Sequence, residues 1–478
     1  MVFYMKSDFT RNLGYSTLSP EQFEKLHFAS LEILERIGVN VLQQEALDLL
    51  KSAGARVVGD RAFIPQTLVK EALLSAPSSV HVRDRSGKRA MTLENGRSYY
   101  GTGSDTPNVY DIHTGELRKA KKQDVANAAI LCDALKHIDF VMSMGIATDV
   151  PADKSYVHQF ESMLLNTTKP IVYTAGNKRD IGEIYEMACL AAGGEEKLHA
   201  NKSLVLYDEP ISPLQHSEEG LDKLLFCAEK QTPVIYAPAT MLGATGPVTP
   251  AGALAQANAE ILSGLVIHQL KSRGAPFIAG GGAPPLDMRT MVCSYGAPER
   301  DLTCTSLVAL ARYYDLPVFT TGGCSDAQVF DQQAGLEMGF NLLISGLAGG
   351  NLIHNTGYLG IGMTASLEAI ALCNDGIGMV RRLLRGIDVN DNTLALDVIE
   401  DVGPGGNFIA EEHTAENCRA MIWAPELLNR MDYDNWKSAG ASAFSERANR
   451  AVLKILETHK TLSLPENVAS QINAIAQR

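Results

Sequence analysis

The chain has 478 residues, with 42 Lys+Arg against 55 Asp+Glu and a formal net charge of −13. That acidity argues against nucleic acid as the main partner, because phosphate binding needs a concentrated basic face. Apolar residues make up 45% and charged ones 20%, enough for a large folded core of two or three domains, or of one α/β barrel with additions.

The N-terminus, MVFYMKSDFTRNLGYS, carries neither a basic nor an apolar leader region, and the eight cysteines are scattered with no Cys-x-x-Cys pair. The expectation is a cytoplasmic chain without disulfides or a thiolate metal site. Ser19-Pro20-Glu21-Gln22 fits a capping box with proline at the first helical position, opening a helix that runs to Gly38. Further helices are predicted over 43–53 and 65–76. Val80-His81-Val82 and Met91-Thr92-Leu93 then flank a Ser-Gly turn, which reads as a hairpin. Residues 1–97 thus form an N-terminal α+β appendage.

From Ser98 a short apolar run alternates with a longer amphipathic stretch. The predicted strands are 98–101, 140–144, 170–174, 203–207, 233–237, 276–280, 317–320 and 351–354. The predicted helices are 121–137, 153–166, 179–192, 217–230, 250–272, 299–314, 328–346 and 365–385. Eight βα units over 98–387 match a (β/α)8 TIM barrel, with an open doubly wound sheet as the alternative. Met338 to Leu367 lacks Asp, Glu, Lys and Arg, but it is too polar and Gly-rich for a membrane helix and reads as a buried strand with its loops. Residues 388–478 form a helical tail, with helices near 411–420, 425–431 and 442–459.

A barrel builds its site at the C-terminal ends of its strands. Five tyrosines fall there: Tyr99 and Tyr100 on the first strand, Tyr173 on the third, Tyr207 on the fourth and Tyr236 on the fifth. Aromatic pockets hold quaternary ammonium groups, although strand alternation turns only about half of such residues inward. The loops after the fifth, sixth and seventh strands are rich in Gly, Pro and Ala and almost without charge. Gly280-Gly281-Gly282 and Gly322-Gly323 suit close backbone approach to a flat ligand or an anion, or simply tight turns. On the eighth strand, His354 occupies a catalytic position, followed by Asn355 and Tyr358. Gly357-x-x-Gly360-x-Gly362 reverses the dinucleotide fingerprint and follows no Rossmann-like first strand, which excludes NAD. No His-x-His, His-Glu-x-x-His or Cys pair offers a zinc ligand set. Gly323-Cys324-Ser325-Asp326-Ala327 only loosely resembles a nucleophile elbow.

The run from Thr320 to Ile370, with its Ser-Asp-Ala-Gln, Asp-x-Gln-Ala-Gly and Asn-Leu-Ile-His segments, and the N-terminal STLSPEQFEKLHFASLEILERIGVNV resemble the trimethylamine methyltransferase family over nearly the whole chain. The resemblance implies a TIM barrel that passes a methyl group from a methylated amine to the Co(I) corrinoid (cobalamin type) of a separate carrier protein. The trimethylamine branch uses pyrrolysine, whereas this chain has only standard residues and so resembles the non-pyrrolysine, glycine betaine:corrinoid branch. A quaternary donor such as glycine betaine needs no pyrrolysine to activate it; carnitine-like and proline betaines and trimethylamine remain alternatives, as do a non-catalytic betaine-binding barrel and a lyase using His354 as base. On this reading Tyr100, Tyr207 and Tyr236 flank the ammonium. His354 and the Gly322-Gly323 turn receive the carboxylate. Asp105, Glu209, Asn355 and Tyr358 complete the substrate site, and Gly280, Gly281 and Gly282 face the corrinoid. The expected partners are the carrier, a small quaternary amine and further copies of the chain, with no nucleic acid, membrane or bound metal.

Overall fold

The computed structural model describes residues 15–478. Seven parallel strands form one curled sheet, in the order Tyr99–Tyr100, Leu352–His354, Val318–Thr321, Phe277–Gly280, Val234–Tyr236, Leu204–Asp208 and Ile171–Tyr173. The eighth segment closes the ring through two bridges, Gly101 to Phe140 and Val141 to Ile171. The fold is therefore the predicted (β/α)8 barrel, not an open sheet. The helices between strands, Lys122–Ala134, Ser155–Asn166, Lys178–Ala192, Glu218–Lys230, Pro250–Lys271, Pro298–Tyr313, Gln332–Ala348 and Leu367–Leu384, start and stop within a few residues of their predicted bounds. The uncharged span from Met338 therefore begins as the second half of a helix, and only Leu352–His354 within it is barrel strand. Among the described residues no helix is long and apolar enough to cross a membrane.

Two buried clusters share the strands. Phe140, Met142, Val172, Val205, Ile235, Ile278, Phe319 and Leu352 fill the lumen. Their strand neighbours, such as Val141, Tyr173, Leu206, Val234, Phe277 and Val318, pack outward against the helices. The hairpin Val80–Arg83 and Arg89–Leu93 adds Val80, Val82, Met91 and Leu93 to the lumen cluster, and the Tyr99 hydroxyl accepts from the Thr92 N–H at 3.1 Å. The hairpin thus plugs the N-terminal end of the barrel.

The capping box forms at Ser19, and the first helix passes through a single wide turn before stopping at Gly38. At φ +77°, with the Ala62 carbonyl oxygen 2.6 Å from where a Cβ would sit, Gly38 cannot be replaced by a larger residue without moving the backbone. The helices Pro20–Glu32, Gln44–Ser52 and Gln66–Ser75 all pack on Pro250–Lys271. That helix is covered on both sides, which is why its sequence is apolar nearly all round.

In the tail, Phe444–Thr458 buries Ala448 and Val452, and Glu466–Ala476, which the sequence reading did not predict, packs on Lys178–Ala192. The predicted helix at 425–431 is absent. The N–H groups of Glu426, Leu427 and Leu428 donate instead to the buried Asp375 carboxylate at 3.0, 2.8 and 2.9 Å, so they are not free to close helical turns. Asp375→Ala is expected to cost about 2–3 kcal/mol of stability, with faster hydrogen exchange at 426–428; unchanged exchange there contradicts this anchoring.

Candidate functional site

Side-chain alternation decides which strand residues reach the lumen. Tyr207 and His354 share the parity of Val205 and Leu352 and point inward, as their ring contacts with Phe319 at 5.3 and 4.0 Å show. Tyr100 and Tyr236, expected beside the ammonium, have the opposite parity and lie in the layer between barrel and helices. Tyr236 donates to or accepts from His216 Nδ1 at 2.6 Å, and His216 Nε2 meets Ser263 Oγ at 2.9 Å. Tyr100 lies beside Gly346, with the Arg381 guanidinium 5.7 Å from its ring. Tyr173 also faces outward, against Phe160, while Tyr99 is at the hairpin end of the lumen.

The structure brings Asp105, Tyr207, Glu209 and Tyr358 together at the C-terminal mouth. The Tyr207 hydroxyl donates to Glu209 Oε1, and Tyr358 donates to the Ser104 carbonyl, packed so closely that Gly103 has no room for a Cβ. Asp105 sits at φ +68°, an uncommon conformation that residues with short polar side chains tolerate best, and accepts from Ser143 Oγ and Thr174 Oγ1 at 3.4 Å each.

Two tyrosines that the sequence reading missed complete the ring. Tyr156, in the first turn of Ser155–Asn166, has its phenol pushed up to about 12, first by the charge of Asp105, then by burial, Asp180 and Glu209. Tyr295 holds its N–H on Asp326 Oδ1 at 2.6 Å, lies against Gly362 and has its phenol raised by burial and neighbouring groups that include Glu209. Neither lies at the end of a barrel strand.

The electrostatics of the mouth are one-sided. Burial raises Asp105 to about 6, partly offset by its hydroxyl partners. Glu209 keeps water-accessible surface, yet desolvation by the surrounding walls, with repulsion from Asp208 and Asp105, raises it to about 7. Neither makes an ion pair with Lys or Arg among the described residues. Lys223 is bound to Asp208 at 2.9 Å, and Arg300, only 2% exposed, is held by Asp301 at 3.1 Å and Cys324 Sγ at 2.6 Å. Lys223 offsets the two carboxyls only in part, and carboxylates among tyrosines are a setting in which a cation could be held.

His354 donates from Nδ1 to the Thr320 carbonyl at 2.8 Å, so Nε2 carries a lone pair, and burial pushes the ring down to about 3. It is a neutral acceptor, not the donor a carboxylate needs, unless a bound anion draws a proton onto it. The Gly322 and Gly323 N–H groups, expected to bind that carboxylate, are already donated to the His354 carbonyl and Asn341 Oδ1. Asn355, at φ +77°, directs its amide to Thr321 Oγ1 at 2.9 Å. Gly280, Gly281 and Gly282 leave out side chains that would meet Phe319, Pro238 and Cys304, so protein packing accounts for all three. Arg300 has an unpartnered Nε, and its guanidinium lies 5.7 Å from the Tyr295 ring.

A family model described as trimethylamine methyltransferase (MTTB) matches residues 6–478. The chain is 34% identical to the trimethylamine methyltransferase MttB of Desulfitobacterium hafniense, covering 97% of this chain and 94% of that one. It is 30% identical to the glycine betaine methyltransferase of Desulfitobacterium hafniense, with 97% of each covered. The monomethylamine methyltransferase of Methanosarcina barkeri shares the fold at a TM-score of 0.51 and 11% identity, covering 94% of this chain and 90% of that one.

Both raised carboxyls are neutral in acid and ionise as pH climbs through about 6 and 7. Binding of tetramethylammonium, measured calorimetrically, is therefore expected to tighten about tenfold, ~1.4 kcal/mol, from about pH 5.5 to about pH 8. Glu209→Gln should remove the upper part of that rise, and a flat profile in the unaltered chain contradicts the assignment.

Proposed function

The chain belongs to the trimethylamine methyltransferase family, and from that premise we propose that it moves a methyl group from a quaternary amine, glycine betaine by preference, to the corrinoid of a separate carrier protein, releasing dimethylglycine. The observation that carries this reading is the pairing of Asp105 and Glu209, neither in an ion pair with Lys or Arg among the described residues, with Tyr156, Tyr207, Tyr295 and Tyr358 at one mouth. Each ring face offers a quaternary ammonium roughly 0.5–2 kcal/mol. The sequence holds only standard amino acids, and a quaternary nitrogen is already a leaving group, so no activating side chain is required.

When docked, the carrier's reduced corrinoid supplies the nucleophile that takes the methyl group. The breaking C–N bond leaves its electron pair on nitrogen, and the charge held by Asp105, Glu209 and the tyrosines vanishes in that step. An over-strong cage would stabilise the substrate more than the transition state. A carboxylate near pKa 7, such as Glu209, moderates that grip. The chain's task is to orient one N-methyl toward the open mouth and keep water from the nitrogen. We assign the substrate carboxylate to His354 Nε2, which takes up a proton as the anion arrives, with Arg300 behind it.

The carrier's approach is assigned to the half of the rim formed by 238–249, 281–297, 322–331 and 355–366. The first and last of these loops hold no charged residue, and Val248, Met288, Val329 and Met363 are exposed on the four. Because packing already accounts for Gly280, Gly281 and Gly282, the approach is assigned to these rim loops and not to that triplet. A cytoplasmic location belongs to the same proposal. A second reading, trimethylamine as donor, draws on the 34% identical relative and on the neutral state of His354.

Incubation with reduced cobalamin and, separately, glycine betaine, proline betaine, carnitine and trimethylamine tests the two, with the demethylated amine read by mass spectrometry. Dimethylglycine from glycine betaine is expected; turnover of trimethylamine alone, or of none, overturns the proposal. Glu209→Gln should lower kcat/KM about 10- to 100-fold, ~1.4–2.8 kcal/mol. His354→Ala should raise KM for glycine betaine about tenfold, ~1.4 kcal/mol, while leaving a quaternary amine without a carboxylate unaffected. An equal loss for both substrates sinks the carboxylate role.

A further inference from the structure

We propose that Asp208 is a specificity-determining residue: it cancels the charge of Lys223, a lysine set between two strand ends of the mouth, and so keeps the mouth open to a cation. The inference rests on the reading of Asp105 and Glu209 as the ammonium site. Asp208 has the outward parity of Leu206 and is 2% exposed, so it acts through its partner and not by touching substrate. Lys223 stands on the helix Glu218–Lys230, which lies so close to the strand that a Cβ on Gly220 would come within 3.4 Å of the Glu209 carbonyl oxygen. From there its ammonium reaches two strand ends at once. It meets Asp208 Oδ1 at 2.9 Å and donates to the Ala175 carbonyl at 3.0 Å. Glu209 follows Asp208 in the chain, and Thr174, whose hydroxyl donates to Asp105, precedes Ala175. One ammonium thus lies beside the backbone that supports each carboxyl, and its charge acts on both.

Stability alone does not ask for this pair. Taking two charges out of water costs about as much as their attraction returns, and an uncharged pair of similar size often serves as well. Asp208 is also poorly provided for, since its Oδ2 is buried without a partner and burial raises the carboxyl. What the pair supplies is neutrality. Without Asp208, an uncompensated ammonium would stand beside Asp105 and Glu209, hold them as its own partners and oppose a second cation, because charges interact more strongly where water is excluded. With Asp208 in place, Lys223 tempers the two carboxyls and leaves their attraction for a cation. The other groups facing the carboxyls leave this balance unchanged near neutrality. Tyr156, Tyr207, Tyr295 and Tyr358 keep their protons, all four phenols being raised, and His354 is neutral. Arg179 lies against Asp180 at 3.4 Å, and Arg300 against Asp301 at 3.1 Å.

Calorimetric binding of tetramethylammonium to the full chain tests this by changing charge while keeping shape. Asp208→Asn leaves an oxygen for Lys223 and removes the negative charge. It is expected to weaken binding about tenfold at about pH 8, and to move the pH-dependent rise in affinity to lower pH, because the uncompensated ammonium favours ionised Glu209 and Asp105. Adding Lys223→Met to Asp208→Asn is expected to restore binding to within about threefold of the unaltered chain. A merely structural role gives the opposite, a double variant as weak as the single one or weaker. Should Asp208→Asn fail to fold, Asp208→Ser, which also keeps an oxygen and removes the charge, takes its place in both measurements. No binding of tetramethylammonium by the unaltered chain contradicts the ammonium site itself, and the inference falls with it. Binding by the unaltered chain that the single variant leaves unchanged, that the added Lys223→Met fails to restore, or whose rise moves to higher pH overturns the inference alone.

Discussion

Each strand of this barrel turns alternate side chains into the lumen and out toward the helices, and the strands are so short that each sends one or two residues inward. That constraint settles the character of the mouth. Tyr207 and His354 enter it because they follow Val205 and Leu352 by two positions, while Tyr100, Tyr173 and Tyr236 are spent on the outer layer. With the lower lumen filled by Phe140, Ile235, Ile278 and Phe319 and closed by the Val80–Leu93 hairpin, only the C-terminal end of the barrel is left for a site. The remaining walls must come from loops and helix starts, which is where Tyr156, Tyr295 and Tyr358 stand.

Desolvation acts twice in this arrangement. It raises Asp105 and Glu209, making an empty mouth with two ionised carboxylates costly, and it strengthens the attraction that a cation finds there. The cost is met by local bonding: hydroxyls of Ser143 and Thr174 at Asp105, and the Tyr207 phenol at Glu209. Positive groups nearby are engaged elsewhere, Lys223 by Asp208 and Arg300 by Asp301 and Cys324, and Lys223 offsets the two carboxyls only in part. On the proposed reading the mouth selects by charge, which suits a donor whose cationic nitrogen becomes neutral as it reacts.

The barrel was legible in the sequence because its signal repeats: eight apolar runs separated by amphipathic stretches, with proline at the start of several strands and glycine in the turns. Even the weakest strand, at 140–144, appeared in the pattern, although it pairs only through the bridges at Phe140 and Val141. The site was half legible. Position at a strand end pointed to Asp105, Tyr207, Glu209, His354 and Tyr358, which the fold brings to one end of the barrel, but only alternation and packing turn Tyr100 and Tyr236 away from it. Tyr156 and Tyr295 were hidden because folding, not spacing, brings a helix start and a loop over the mouth. The same reason hid the fate of 426–428, whose backbone answers to Asp375, about fifty residues earlier in the chain.

The central claim is that a quaternary ammonium rests between Asp105 and Glu209 among the four tyrosines. A crystal structure with glycine betaine tests it most directly. The account predicts the trimethylammonium group within about 6 Å of the ring centroids of Tyr207 and at least one of Tyr156, Tyr295 and Tyr358, with its carboxylate toward His354. Betaine bound elsewhere in the barrel, or oriented with its carboxylate between Asp105 and Glu209, contradicts it.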